Sequence, residues 1–212
     1  MLSACEFSGI VRDAFENAGW YAWSCDLLPT ESEQTQRAGK HIQGDVLSVI
    51  NDDWDLIVGF PPCTYLSYAY TGANRYSIGR LQNKIDALQF FLNLWAAPAK
   101  HICLENPLGY VSQGLLPHSQ IIEPYYFGHN YKKRTCLWLK NLPLLQYRIS
   151  DDLFGKKTAV KPMFLYHSGN NSSKLPIIGK PFGGKERSRF HTGIAAAMAE
   201  QWTDYIINQK AK

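Results

Sequence analysis

The apolar and polar positions of the first 150 residues follow two alternating patterns. Short apolar runs predict β-strands, and apolar residues three or four positions apart predict amphipathic helices. The predicted strands are residues 2–5, 21–25, 56–58, 102–104 and 135–139, and the predicted helices are residues 11–18, 47–50, 81–97 and 194–207. Gly19 and Pro98 stand where the first and third helices are expected to end, because glycine closes helices and proline cannot continue them.

This alternation predicts the fold class. Strands separated by helices form βαβ units, which build a mostly parallel, doubly wound sheet in an α/β protein. After Pro143 the pattern dissolves, and no strong element is expected before Gly193. We therefore expect a catalytic core at residues 1–150, a short basic loop region at 151–190 and, at 191–212, a final helix that packs back on the core.

Length and composition are compatible with one domain that has a proper core. The chain has 212 residues, of which 45% are hydrophobic and 19% are charged, and these values are typical of globular proteins. No apolar run reaches the roughly 18 residues that span a bilayer, and the first residues show no signal peptide. We expect a soluble, cytoplasmic protein that does not bind a membrane.

The charge is small but unevenly distributed. The formal net charge is +4, and residues 153–190 carry eight lysines and arginines against the single acid Glu186. A basic segment that is also rich in glycine, proline, serine and asparagine is typical of loops that contact nucleic-acid phosphates. A solvated, lysine-rich loop is the other interpretation.

The cysteines do not form a metal or disulfide pattern. They are Cys5, Cys25, Cys63, Cys103 and Cys136, an odd number with no CxxC pair, which argues against a disulfide framework and a zinc ribbon. Four of them lie in apolar surroundings, where a thiol usually serves as a small core residue. Cys63 differs because it follows two prolines at the end of a predicted strand.

Reactive side chains follow two of the predicted strands. One apolar run ends in Gly59-Phe60-Pro61-Pro62-Cys63, and another ends in Glu105-Asn106-Pro107. In open α/β sheets, ligands bind outside the carboxyl ends of the strands. A thiol and a carboxyl group there can act on one substrate, the first as nucleophile and the second as acid or hydrogen-bonding partner.

The ends of the first strands carry groups suited to a cofactor. The loop after the first strand leads into a helix N-terminus, which accommodates nucleotides or carboxylates. Acids at strand ends accept hydrogen bonds from ribose hydroxyls, although they also cap helices. Because neither GxGxxG nor a Walker loop occurs, the pattern favours an adenosine-type cofactor without pyrophosphate. The candidates are Cys5, Glu6, Phe7, Ser8 and Gly9 in the first loop, with Asp26, Leu27, Asp45 and Val46 after later strands.

In their order and spacing these elements resemble the DNA cytosine-5 methyltransferases, and more closely the short phage- and prophage-borne proteins described as DNA cytosine methyltransferase-like. The elements are Gly9, Asp26, Gly44-Asp45, Gly59-Phe60-Pro61-Pro62-Cys63, Glu105-Asn106 and Phe127-Gly128 before a basic cluster. The resemblance covers residues 2–202, thinly between 142 and 185. It implies a Rossmann-like S-adenosylmethionine-dependent methyltransferase fold, with S-adenosylmethionine as cofactor and DNA as substrate.

The resemblance also implies roles for individual residues. Cys63 matches the nucleophile that attacks C6 of cytosine, and Glu105 matches the acid that holds N3 and the exocyclic amine of the flipped base. Lys133, Arg134 and Thr135 fall where the family has two arginines, one of which contacts the base carbonyl. Positions of the S-adenosylmethionine site are matched by Gly9, Asp26, Asp45, Phe60 and Pro61, and residues 191–193 with the final helix match the segment that completes it.

Two departures from the family leave alternatives open. The first loop has one glycine instead of two or three, and the target-recognition region is much reduced, to the basic stretch after Ser150. A protein partner that supplies recognition, an inactive cofactor- or nucleic-acid-binding module, and a cytosine C5 modifier of single-stranded nucleic acid, RNA or nucleotide are therefore alternatives. Residues 65–80, rich in tyrosine and glycine, are expected to form a loop that closes over the base and touches phosphate.

Overall fold

A computed structural model describes residues 1–68, 77–147, 164–165 and 189–210. The strands of these regions are β1 (Leu2–Ala4), β2 (Trp23–Asp26), β3 (His41–Gln43), β4 (Leu56–Gly59), β5 (His101–Pro107), β6 (Gln120–Ile122), β7 (Tyr131–Lys132), β8 (Thr135–Lys140) and β9 (Phe164–Leu165). The α-helices are α1 (Ile10–Asn17), α2 (Glu33–Ala38), α3 (Ile78–Trp95) and α4 (Thr192–Lys210), and shorter helical turns span Val46–Ser48, Val111–Leu115 and Pro124–Phe127.

Within the described residues, one sheet contains seven strands in the order β3-β2-β1-β4-β5-β8-β6. The first five in this order are parallel to their neighbours. β8 is antiparallel to both β5 and β6, and β7 pairs with β9 outside this sheet. The predicted α/β fold with a mostly parallel sheet is confirmed.

Apolar clusters cover both faces of the sheet. Leu56 and Val58 of β4 pack in one cluster, together with residues of α1 and α4, whereas Ile57 packs in the other, with residues of α3. Successive side chains of a strand point to opposite faces, so β4 is buried on both sides. This double burial explains why β4, Leu-Ile-Val-Gly, has a continuous apolar sequence instead of an alternating one.

Several predicted boundaries differ from the structure. β2 begins at Trp23 instead of residue 21, since the side chain of Tyr21 is 68% exposed. The helix predicted at 47–50 is a 3-10 turn, Val46–Ser48. The spacing of apolar residues places Ile85 and Phe91 on one apolar face of α3; the structure buries Phe91, together with Leu94, whereas Ile85 is 49% exposed.

The periodicity missed α2, β3, β6 and β7. α2 is six residues long and polar, and it is defined by its ends: the hydroxyl of Ser32 accepts a hydrogen bond from the backbone N–H of Thr35, and Gly39 closes it at φ 61°. These caps are local signals that an apolar pattern does not contain. The basic stretch expected at 151–190 falls outside the described residues, apart from residues 164–165 and 189–190.

Two features of this topology position the candidate site. The order of strands reverses between β1 and β4, and such a switch point leaves a crevice at the carboxyl ends of the strands. α4 returns to pack on α1, where Trp20 Nε1 donates a hydrogen bond to Thr203 Oγ1 at 2.7 Å. The segment just before α4 therefore reaches the edge of the sheet that holds the crevice.

Candidate functional site

A cavity of about 360 Å³ lies at the carboxyl ends of β1, β2 and β3. This volume is in the range of small-molecule sites. Its walls are mostly apolar, with two carboxylates at one side. The lining residues are Cys5, Asp26, Leu27, Gly44, Asp45, Val46, Pro62, Ala87 and Phe90.

Five of the predicted cofactor residues therefore meet in one place. These are Cys5, Asp26, Leu27, Asp45 and Val46. One carboxylate oxygen of Asp26 accepts the backbone N–H of Leu28 at 2.9 Å, and one of Asp45 accepts that of Leu47 at 3.0 Å. In each acid, Oδ1 thus stabilises the turn that follows the residue, and Oδ2 is the oxygen that can accept a hydrogen bond from a hydroxyl or amine of a ligand.

The first loop is built differently from the expectation. Glu6 is 4% exposed, and its carboxylate accepts hydrogen bonds from the hydroxyls of Ser3 and Ser8 and from the N–H of Ile10. Burial raises the pKa of Glu6, and these hydrogen bonds oppose the shift. The N-terminus of α1 is therefore capped by this side chain, which together with those of Phe7 and Ser8 lies inside the fold and not along the cavity.

Gly9 follows this loop, and its backbone conformation requires a glycine. Its φ is +75°, and an added Cβ would lie 2.3 Å from Cβ of Ser32. A side chain is disfavoured both by the left-handed conformation and by this close approach. Gly9 thus allows α1 to start directly beneath the segment that precedes α2.

Cys63 follows the end of β4, and Glu105 lies near the end of β5, the neighbouring parallel strand. Gly59 at the end of β4 is paired with Leu104 of β5. Beyond this pair, Asn106 Nδ2 donates a hydrogen bond of 2.7 Å to the carbonyl oxygen of Pro61. This buried amide joins the Cys63 segment to the Glu105 segment at the same edge of the sheet, and Cys63 itself is exposed.

Glu105 lies in an environment that favours its neutral form. Burial raises its pKa, while the charge of Lys133 and a hydrogen bond from Thr135 oppose the shift. The Thr135 hydroxyl donates to Oε1 of Glu105, since Thr135 is paired with Pro107 where β8 begins beside the end of β5. The carboxyl group of Glu105 is therefore held in position by a residue of β8, the strand that pairs with β5 on the side opposite to β4.

The two predicted basic residues lie in different surroundings. Lys133 acts electrostatically on both Glu105 and His191, and it lowers the pKa of each. The Arg134 side chain is 62% exposed and lies 3.6 Å from Glu123. Lys133 therefore belongs to the neighbourhood of Glu105, and Arg134 belongs to the surface.

Residues 189–191 cross the edge of the sheet just before α4. Arg189 Nε lies 2.8 Å from Glu31 Oε2, the ring of Phe190 packs on Phe60 with centroids 4.5 Å apart, and His191 Nδ1 lies 2.7 Å from the hydroxyl of Tyr131. Phe60 is therefore covered by this segment. Neither Phe60 nor Pro61 lines the cavity, whereas Pro62 does.

The α3 side of the cavity is not indicated by any sequence motif. Ala87 and Phe90 line it, although the periodicity assigned α3 only a core face. They lie three residues apart, which places them on one side of a helix, next to the face that packs on the sheet. Asn106 and Thr135 were read only as parts of longer motifs, and their bonds to Pro61 and Glu105 depend on strand pairing.

The cysteines predicted to be core residues are buried in three cases. Cys25, Cys103 and Cys136 have no exposed surface, and burial raises the pKa of Cys25 and Cys136 to about 11. Cys5 is half-buried and faces the cavity, where burial also raises its pKa. Among the described side chains, no group of three His, Cys, Asp or Glu could hold a metal ion, and no described helix is both long and apolar enough to cross a membrane.

Comparison with known proteins gives similarities at the level of structure. No model of a protein family matches the chain, and no curated protein matches its sequence. One similar solved structure is described as a DNA modification methyltransferase encoded within a prophage of E. coli, with 14% identity, a TM-score of 0.44, and coverage of 74% of this chain and 52% of that one.

Two further structures are similar to the same extent. The Dnmt2 methyltransferase of S. pombe has 19% identity and a TM-score of 0.42, with 66% of this chain and 50% of that chain covered. The methyltransferase EhMeth of Entamoeba histolytica has 12% identity and a TM-score of 0.42, with 76% and 56% covered. The chain thus spans about half the length of the structures it matches.

Proposed function

We propose that this protein is an S-adenosylmethionine-dependent methyltransferase that methylates C5 of cytosine in DNA, with Cys63 as nucleophile. The observation that supports it most is the hydrogen bond from Asn106 to the Pro61 carbonyl. It joins the segment that carries the exposed Cys63 to the strand that carries the half-buried Glu105. Pro62, one residue before that thiol, lines the adjacent cavity.

The cavity suits the adenosine part of the cofactor. Its apolar walls, which include Phe90 and Val46, suit a purine ring. Asp26 and Asp45 would accept hydrogen bonds from the ribose hydroxyls and from the adenine amino group. When bound, S-adenosylmethionine supplies an electrophilic methyl group.

Cys63 supplies the nucleophile. C5 of cytosine is poorly nucleophilic, and addition of a thiolate to C6 converts the ring into an enamine that can accept a methyl group at C5. Loss of the C5 proton and cleavage of the bond between sulfur and C6 then release the product and regenerate the thiolate. Because only a thiolate attacks, an exposed position of Cys63 is more suitable than the buried positions of Cys103 and Cys136.

Glu105 supplies the acid. As its pKa is raised by burial, a larger fraction of the group carries a proton near neutral pH than for an ordinary glutamate. A protonated carboxyl can donate a hydrogen bond to N3 and stabilise the charge that develops when sulfur adds to C6. The hydroxyl of Thr135, which donates to Oε1, would hold this group in position.

Trapping on DNA that contains 5-fluorocytosine tests the proposal. Fluorine cannot leave C5 as a proton does, so the covalent adduct between Cys63 and C6 persists and is detected by denaturing electrophoresis and mass spectrometry. We expect an adduct with the wild-type protein and S-adenosylmethionine, and none with Cys63→Ala. The matched control is Cys103→Ala, which removes a thiol that has no exposed surface, two residues before Glu105.

Calorimetry with S-adenosylmethionine on the same three proteins separates binding from chemistry. All three should bind it, because no side chain that lines the cavity is changed. An adduct of normal yield in Cys63→Ala would disprove the role of the nucleophile. Cofactor binding by wild type without any adduct would instead favour the binding module.

A further inference from the structure

Two exposed tyrosines lie against each other beside the segments of Cys63 and Glu105. Tyr68 is 40% exposed and Tyr110 is 39% exposed, and their ring centroids are 4.9 Å apart in an edge-to-face arrangement. Tyr68 follows Cys63 by five residues, and Tyr110 follows Glu105 by five. The pair therefore connects the same two segments that the proposed chemistry needs.

The pair is held in place by the backbone beneath it. Ser67 forms a β-bridge with Gly109, and the N–H of Tyr110 donates a hydrogen bond of 2.9 Å to the carbonyl of Leu66. An added Cβ at Gly109 would lie 2.0 Å from this carbonyl oxygen, so the approach requires glycine. The two rings are thus presented by a fixed contact between the segments.

Side chains also restrain the two rings. The hydroxyl of Tyr68 donates a hydrogen bond of 2.9 Å to Oε1 of Gln113. Nζ of Lys84, on α3, lies 3.5 Å from the ring centroid of Tyr110, which is within the range of a cation–π contact. The surface therefore combines two restrained aromatic rings with one ammonium group.

Aromatic rings beside a cation are the elements that bind unpaired nucleotides. Bases stack on exposed rings, and cations pair with the neighbouring phosphates. In a duplex, the faces of each base are covered by the bases above and below it, so stacking on a protein ring requires a base that has left the helix. The chemistry of this surface thus fits a single strand better than a duplex.

We propose that Tyr68, Tyr110 and Lys84 bind a nucleotide that flanks the target cytosine in single-stranded DNA. One of the two rings stacks on its base, the other ring, inclined at 72° to the first, contacts the edge of that base, and the ammonium group of Lys84 pairs with its phosphate. This inference rests on the proposed function and extends it, because it assigns unpaired DNA as the substrate class.

The chain contains a matched control surface. Tyr21 is 68% exposed, Nζ of Lys40 lies 4.5 Å from its ring centroid, and the ring of Trp23 contacts it edge to face at 6.2 Å. The local chemistry is the same, a tyrosine with an aromatic neighbour and a lysine. Tyr21 precedes β2, however, and so lies at the amino ends of the parallel strands, away from Cys63.

Equilibrium binding without cofactor tests the inference. The probes are a fluorescein-labelled, cytosine-containing single-stranded DNA and the duplex of the same sequence, both followed by fluorescence anisotropy. We expect wild type to prefer the single strand, Tyr110→Ala to weaken its binding about tenfold, and Tyr110→Phe to stay within about twofold of wild type because it keeps the ring. Tyr21→Ala should bind like wild type.

Salt dependence adds a measurement that a purely structural role would not change. Lys84→Gln should reduce the slope of log affinity against log salt concentration by about 0.7, the value for one phosphate contact on a single strand. Thermal melting shows whether each variant is folded, and Tyr68→Ala replaces Tyr110→Ala if the latter is not.

Several results would overturn the inference. The first is wild-type affinity of Tyr110→Ala for the single strand, and the second is a loss of affinity in Tyr21→Ala as large as that in Tyr110→Ala. The third is an unchanged salt slope in Lys84→Gln. The fourth is that wild type binds the single strand and the duplex equally well and that Tyr110→Ala weakens the binding of both to the same extent. None of these measurements involves adduct formation. A failed trapping experiment would therefore reject the proposed chemistry, and a failed binding experiment would reject only this surface.

Discussion

Replacing Asn106 by alanine tests whether one buried amide holds the nucleophile segment in place. Asn106 is 1% exposed, and its Nδ2 donates to the Pro61 carbonyl at 2.7 Å. Alanine leaves this carbonyl, which belongs to a buried residue, without its donor, at a cost of about 1–3 kcal/mol. Oδ1 of Asn106 is buried without a hydrogen-bond partner among the described residues, so its removal offsets part of that cost. We expect the free energy of unfolding to fall by about 1–2 kcal/mol.

The effect on activity should exceed the effect on stability. Cys63 follows Pro61 by two residues, so loss of the bond frees the segment that aims the thiol. A displacement of about 1 Å at a reacting group can lower a rate about a hundredfold. We therefore expect the single-turnover rate of adduct formation on 5-fluorocytosine DNA to fall about ten- to hundredfold, while urea denaturation gives the change in stability.

Gln120→Ala is the control for this experiment. Its side chain exchanges two hydrogen bonds with the backbone of Leu145, at 2.8 and 2.9 Å, and it lies on β6 at the far edge of the sheet. It should lose comparable stability and keep the wild-type rate. A wild-type rate in folded Asn106→Ala would refute the positioning role, and equal slowing in both variants would show that the rate follows stability.

Three further predictions concern stability and cofactor binding. Burial lowers the pKa of His191 from 6.5 to about 3. Below pH 6.5 this side chain therefore takes up a proton in the unfolded chain but not in the folded one, and the free energy of unfolding falls as the pH drops. At pH 5 we expect it to be lower by about 2 kcal/mol because of this group. Urea denaturation at pH 7.5 and pH 5 should show that His191→Asn lacks this loss, and an identical pH dependence would contradict it. Asp26→Asn should weaken S-adenosylmethionine binding about tenfold in calorimetry, whereas Asp53→Asn, an exposed acid before β4, should not; equal affinities would exclude the ribose contact. The larger side chain in Ala87→Phe should fill part of the cavity and prevent binding of S-adenosylmethionine without lowering the melting temperature. Binding of S-adenosylmethionine by this variant in calorimetry would show that the cofactor site lies elsewhere.

Much of the core could be predicted because buried strands and helices have recognisable apolar sequence patterns. Strands such as β4 and β5 are covered on both faces, so their apolar runs are continuous and easily recognised. Short polar elements such as α2 have no such pattern, since caps and neighbouring backbone define them. For the same reason the boundaries of β2 and of the turn Val46–Ser48 were displaced by one or more residues.

For the candidate site, the sequence determined which groups stand at the ends of strands. It placed Cys63 and Glu105 after two apolar runs and acids after two others, and parallel strands bring such ends to one edge. The inward orientation of Glu6 could not be read from its position, because the same carboxylate can cap a helix or face a ligand.

Tertiary packing alone decided which of these groups share a cavity. The contribution of Phe90 and Ala87 depends on how α3 lies against the sheet, the link between Asn106 and Pro61 depends on the pairing of β4 with β5, and the contact of Tyr68 with Tyr110 depends on a bridge between separate segments. The physical reason is common to all three. Local sequence encodes propensity and burial, whereas a contact between residues distant in the chain is set by the sum of many packing interactions over the whole fold.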